Sequence, residues 1–119
     1  MKIRILVAFE EEYRAFGDTI AEAFRALRPG DEVQAVGLGV LGERVAVFEP
    51  HLVVSSLPNA FDPGGRPAWV ELSPDPGRPS RVCVGGRRSE PLNPSMEDLL
   101  SVAGETEGII AGGRPPRAC

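Results

Sequence analysis

Residues 50–58 read PHLVVSSLP, and the reading of this stretch decides the fold. Between its two prolines the run is too short for a helix, carries two β-branched valines, and is apolar on both alternating sides. That pattern suits a strand buried on both faces, as in a parallel sheet covered by helices. Toward the N-terminus, Leu38, Leu41, Val45 and Phe48 fall at helical steps of three and four, and Pro50 stops them. Glu32 to Val36 forms a weaker strand before them. Further back, Tyr13, Phe16, Ile20, Phe24 and Leu27 make the stripe of an amphipathic helix that Pro29-Gly30 ends. Ile3 to Phe9 is a nearly continuous apolar run. The order β-α-β-α-β, with helices long enough for crossovers, predicts a parallel α/β domain.

Toward the C-terminus the character changes at Pro58. PNAFDPGGRPA is turn-rich, WVEL is a short strand, SPDPGRPS is another turn, and RVCVGG is a strand ending in two glycines. These pieces read as a hairpin or as an irregular crossover in place of a helix. A final helix starts near Pro94, with Ser95 as cap, Asp98 completing a box-like pair, and Leu99, Leu100, Val102 and Ala103 as its apolar face. IIAGG, close to the end, reads alternatively as a further short strand. The expected organisation is one domain over residues 1–111 and a flexible tail over 112–119.

Composition narrows the chemistry. A chain of 119 residues, 42% hydrophobic and 25% charged, supports one domain with one core. With 13 basic against 17 acidic residues, the net charge of −4 argues against nucleic acid and anionic membranes as partners. Lys2 and His51 are the only lysine and histidine, which leaves no histidine cluster and no central lysine for catalysis. His51 reads as a packed or capping residue. Cys83 and Cys119 have no metal-ligand spacing; the simple inference is a reduced, cytoplasmic protein, with Cys83 a buried apolar residue. No run of about 20 apolar residues could span a bilayer. The N-terminal MKIRILVAFEEE lacks a cleavage site and reads as a strand. GLGVLG at 37–42 fits the dinucleotide pattern G-x-G-x-x-G, but the helical stripe begins inside it. The strand that follows ends Ser55-Ser56-Leu57-Pro58, with no carboxylate before Asp62 to hold a ribose. The glycines are therefore assigned to close helix packing, and no cofactor is expected.

The segments RILVAFEEEYRAF, EVQAV, VFEPHLVVSSLP and NPSMEDLLSV together resemble the receiver domain of bacterial response regulators. The likeness covers residues 1 to about 58 well and the rest poorly. It implies a flavodoxin-like, receiver-like three-layer α/β domain with a mainly parallel central sheet, in which a β-rich segment replaces part of the later helices. Carried onto this chain, the family's acidic pair falls on Phe9 and Glu10, with Glu11 beside it, and its phospho-accepting aspartate falls on Ser56. The family's lysine has no counterpart, and its switch hydroxyl would fall near Gly85 or Gly86. What remains is a degenerate pocket of Glu10, Glu11, Ser56 and Arg87.

An acyl phosphate needs a carboxylate nucleophile, a magnesium ion held by acidic oxygens, and a cation on the phosphoryl group. Ser56 without a base, and Glu10 with Glu11 alone, predict neither phosphorylation nor a metal site. Gly85, Gly86, Arg87 and Arg88 could cradle an anion through backbone N–H groups and guanidinium forks; the simpler expectation is that an arginine neutralises Glu10 or Glu11. The expected role is a non-enzymatic, phosphorylation-independent, receiver-like signalling or adaptor domain acting through protein contacts, with homodimerisation. The alternative is a sensor or enzyme for an anionic metabolite, using Glu10, Ser56 and Arg87. DNA binding would require Arg78, Arg81, Arg87 and Arg88 to form one basic face. Trp69 is read as core, or else as an exposed partner anchor.

Overall fold

The apolar runs assemble into one six-stranded sheet with helices on both faces. The computed structural model describes residues 2–56, 65–112 and 119. Strands β1 (Arg4–Phe9), β2 (Glu32–Gly37), β3 (Leu52–Ser56), β4 (Ala68–Leu72), β5 (Arg81–Val84) and β6 (Arg87–Ser89) lie in the order β2-β1-β3-β4-β5-β6. The first four run parallel, with Leu52 to Ser56 of β3 in register with Ala68 to Leu72 of β4. β5 is antiparallel to β4, and β6 to β5.

Helix α1 (Arg14–Leu27) joins β1 to β2, α2 (Leu41–Phe48) joins β2 to β3, and α3 (Met96–Ala111) follows β6. The first connection moves outward from β1 and the second returns past it. Because such crossovers are right-handed, their helices land on opposite faces. The packing agrees. Ile20 and Phe24 of α1 and Leu99 and Ala103 of α3 share one cluster with Ile5, Val7, Leu52 and Val54. Leu41 and Val45 of α2 pack on the other face against Leu6, Ala8, Val53 and Trp69. β3 and β4 are buried along their whole length, which explains why PHLVVSSLP shows no polar alternation.

Local chemistry sets the helix positions. At Gly17 a Cβ would come within 2.9 Å of the Phe9 ring, so glycine lets α1 approach β1 closely. The α1 stripe is centred on Gly17, Ile20, Ala21 and Phe24, and leaves Phe16 and Leu27 at its exposed margin. Arg4 Nε donates to the carbonyls of Phe48 (3.0 Å) and Glu49 (2.9 Å), satisfying groups left open where α2 ends. Ser95 caps α3 by accepting from the Asp98 N–H at 3.2 Å, while Asp98 accepts the Ser95 N–H at 2.8 Å, the reciprocal pair expected from sequence.

The flavodoxin-like, receiver-like expectation is corrected here. Such a domain alternates strands with five helices, whereas three α-helices are present among the described residues and the last two strands are antiparallel. The physical reason lies in residues 73–80. Eight residues between β4 and β5 are too few for the dozen or so that a parallel crossover needs, so β5 must turn back beside β4. Gly85 and Gly86, at φ 58° and 85°, then supply the left-handed two-residue turn that matches hairpin twist, and the chain returns as β6. Of IIAGG, Ile109 to Ala111 are helical rather than strand: they end α3, and the two isoleucines pack on the first cluster. The turn-rich start at Pro58 and most of the 112–119 tail lie outside the described residues.

Cys83 is fully buried, as expected, yet it is not a free apolar side chain. It forms a disulfide with Cys119 across 36 positions. Closing a loop of that length contributes about 3–4 kcal/mol in the chain-entropy account. No helix among the described residues is long and apolar enough to cross a membrane.

Candidate functional site

The carboxyl ends of parallel strands are where an α/β sheet presents loops to a ligand. Here that edge gathers Glu10, Glu11, Gly37, Ser55, Ser56 and Ser73. Ser56 is 1% exposed and its Oγ accepts the Glu10 N–H at 3.1 Å. The hydroxyl thus fills a gap in the ladder between the ends of β1 and β3. Ser55 is equally buried and also partnered. Ser56 has no histidine in reach, because His51 precedes the opposite end of β3. There its Nδ1 accepts the Arg4 N–H at 2.9 Å while its own N–H donates to the Arg4 carbonyl. Burial, and then the charges of Arg4 and Arg66, lower the His51 pKa from its ordinary 6.5. It is a capping residue in geometry and charge state alike.

Glu11 meets a different arginine from the one the sequence suggested. Arg14 reaches Glu11 at 3.7 Å, and its guanidinium lies 3.3 Å from where a Cβ on Gly37 would stand. Arg87 and Arg88 are elsewhere. Since β5 runs backwards, Val84 pairs with Ala68 at the start of β4, and Arg87 pairs with Val84. Ser56 is level with Leu72 at the other end of β4, about 13 Å away along the strands. The structure brings Glu10 and Ser56 together and places Arg87 at the opposite edge.

The donors around the glycine turn are already engaged. Gly85 N–H donates to the Pro67 carbonyl at 2.8 Å, and Gly86 N–H points to Cys119 Sγ at 3.4 Å. Arg87 pairs with Glu105 of α3 at 2.7 Å, and the Arg88 guanidinium lies 5.5 Å from the Trp69 ring centre. Arg81 pairs with the buried Glu71 at 2.8 Å, and Arg78 with Asp75 at 3.7 Å, so these four cations do not form one basic face. No group of three or more His, Cys, Asp or Glu among the described residues is placed to hold a metal ion. GLGVLG runs from the end of β2 through a single 3-10 turn (Leu38–Val40) into α2. Gly37 and Gly39 have no positive φ, and a Cβ would meet only the Arg14 guanidinium, at 3.3 Å, on Gly37 and nothing within 4 Å on Gly39, so close helix packing does not account for these two glycines.

A second feature at the same edge was not foreseen from sequence. Between α1 and the start of α3 runs a groove of about 370 Å³, lined by Phe16, Thr19, Ile20, Ala23, Met96 and Leu99. Phe16 is 52% exposed and meets Phe9 edge-to-face, with ring centres 5.7 Å apart. Phe16 belongs to the helical stripe, so periodicity alone assigns it to the core; only its place at the margin beside α3 leaves it open. No protein family, curated protein or solved structure matches the chain.

Proposed function

We propose that the chain is a phosphorylation-independent signalling or adaptor domain that acts through protein contact, with the α1–α3 groove as its contact surface. The observation that carries this reading is Phe16, a large aromatic side chain half exposed on an apolar groove at the carboxyl edge of the sheet. Ser56, bonded to Glu10 and without a base, supports a binding role over phosphoryl chemistry.

Charge selects the partner. Glu12, one turn before Phe16, and Glu97, next to Met96, make no ion pair among the described residues. A second copy docking through this face would set those carboxylates against each other. A partner segment with an apolar anchor flanked by lysine or arginine complements both the groove and its rim.

Titrating isotope-labelled protein with a synthetic amphipathic peptide carrying leucine anchors and lysine flanks tests the reading. The expected amide shifts concentrate on Phe16, Thr19, Ile20 and Met96, and Phe16→Ser weakens binding about tenfold or more. An acidic peptide of the same pattern is expected to leave them unmoved. If the basic peptide at millimolar concentration also leaves these resonances in place, the groove is not a docking surface.

A further inference from the structure

The disulfide sits in an environment that a purely structural staple does not require. Trp69, Cys83 and Arg88 stand opposite one another across β4, β5 and β6, and the Arg88 guanidinium reaches over Cys83's strand to the Trp69 ring. A cation is thereby held above the row that contains one sulfur, and the Gly86 N–H points at the other. Both features favour a thiolate, and therefore ease of reduction. The two sulfurs also differ in access. Cys83 is wholly buried, whereas Cys119 is half-buried at the margin of the α2-side cluster. Trp69 beneath them is 5% exposed, and its Nε1 has no hydrogen-bond partner among the described residues.

We propose that Cys83 and Cys119 form a reversible thiol–disulfide couple, opened by a dithiol reductant attacking Cys119, whose state sets the accessibility of Trp69. The reductant's thiolate attacks Cys119 Sγ, the S–S bond breaks, and Cys83 leaves as a thiolate beside Arg88 and takes up a proton. The reductant's second thiolate then attacks its own sulfur in the mixed disulfide, and Cys119 is released and protonated. Two electrons and two protons pass to the protein, and the reductant departs as its disulfide. Detached from β5, Cys119 no longer covers the Trp69–Cys83 row, and an aromatic ring with an adjacent arginine becomes available, the composition of an interface hot spot. This couple is independent of the α1–α3 groove, which lies on the other face of the sheet.

Trp69 is the only tryptophan, so its fluorescence reports on the site directly. Peptide mapping of the purified protein is expected to find the Cys83–Cys119 linkage. Dithiothreitol added without denaturant is expected to shift Trp69 emission to the red and raise its quenching by acrylamide, and oxidised glutathione to restore both. Amide-exchange protection in β1 and β3 is expected to persist throughout. Cys119→Ser should emit like the reduced protein and stop responding to dithiothreitol, and Arg88→Gln should need more reductant at the midpoint. The couple is refuted if the linkage is absent, if it opens only when the whole chain unfolds, or if Trp69 responds identically in both states. Because the redox titration uses the wild-type chain, it decides the matter even if a variant does not fold.

Discussion

The parallel strands β1 to β4 and the hairpin β5–β6 belong to one sheet but are held by different physics. In β3 and β4 every residue is buried, and β1 is buried from Ile5 to Phe9. Each such strand is sandwiched between helices, so its stability comes from continuous apolar burial that no single contact dominates. All three residues of β6 are exposed. It is fastened by discrete links: a glycine turn, the Arg87–Glu105 pair, the Arg88–Trp69 contact and, one strand inward, the disulfide. A region held by burial should fail globally when its core is cut, whereas one held by links should loosen locally when a link is removed.

The sharpest way to break that contrast is Phe24→Ala. Phe24 is fully buried in the cluster that joins α1 to the sheet, and truncation is expected to cost about 3–5 kcal/mol in urea unfolding, with every probe moving together. A smaller and confined effect is expected of Gly86→Ala. Gly86 sits at φ 85°, where an L side chain costs about 1–2 kcal/mol. Amide exchange should quicken in β5 and β6 while β1 and β3 keep their protection; a uniform loss would mean that the hairpin is part of the global cooperative unit.

The smallest effect concerns pH. His51 has a lowered folded-state pKa, so below its ordinary 6.5 the unfolded chain binds the proton more readily than the folded one. Its contribution is therefore fully present above about pH 6.5 and declines as pH falls through that value toward the folded pKa. Between pH 7.5 and 5.5, wild type should lose more in melting temperature than His51→Gln. Equal losses would show that the bond from Arg4 to Nδ1 does not resist protonation.

The same contrast governs how much was legible beforehand. The parallel half could be read because its signals are local: the apolar runs at Ile3–Phe9 and His51–Leu57 and the helical steps through Ile20, Phe24, Leu41 and Val45 each lie within one element. β6 was missed because Arg87-Arg88-Ser89 has no apolar pattern, although Gly85-Gly86 is itself a hairpin signal. The antiparallel run of β5 carries the arginines to the opposite edge of the sheet from the one expected, and Arg14, the first residue of α1, is the cation beside Glu11.

Periodicity and capping chemistry, which act over a few residues, let the sequence by itself determine the first three strands, the first two helices and the capped start of α3. That Ser56 is spent on Glu10, that Phe16 stays open, and that Cys83 finds Cys119 were decided only by tertiary structure. Each depends on which distant segments end up side by side. Strand direction followed from the few residues between β4 and β5, whereas exposure came from where α3 packs against α1, which no single element encodes.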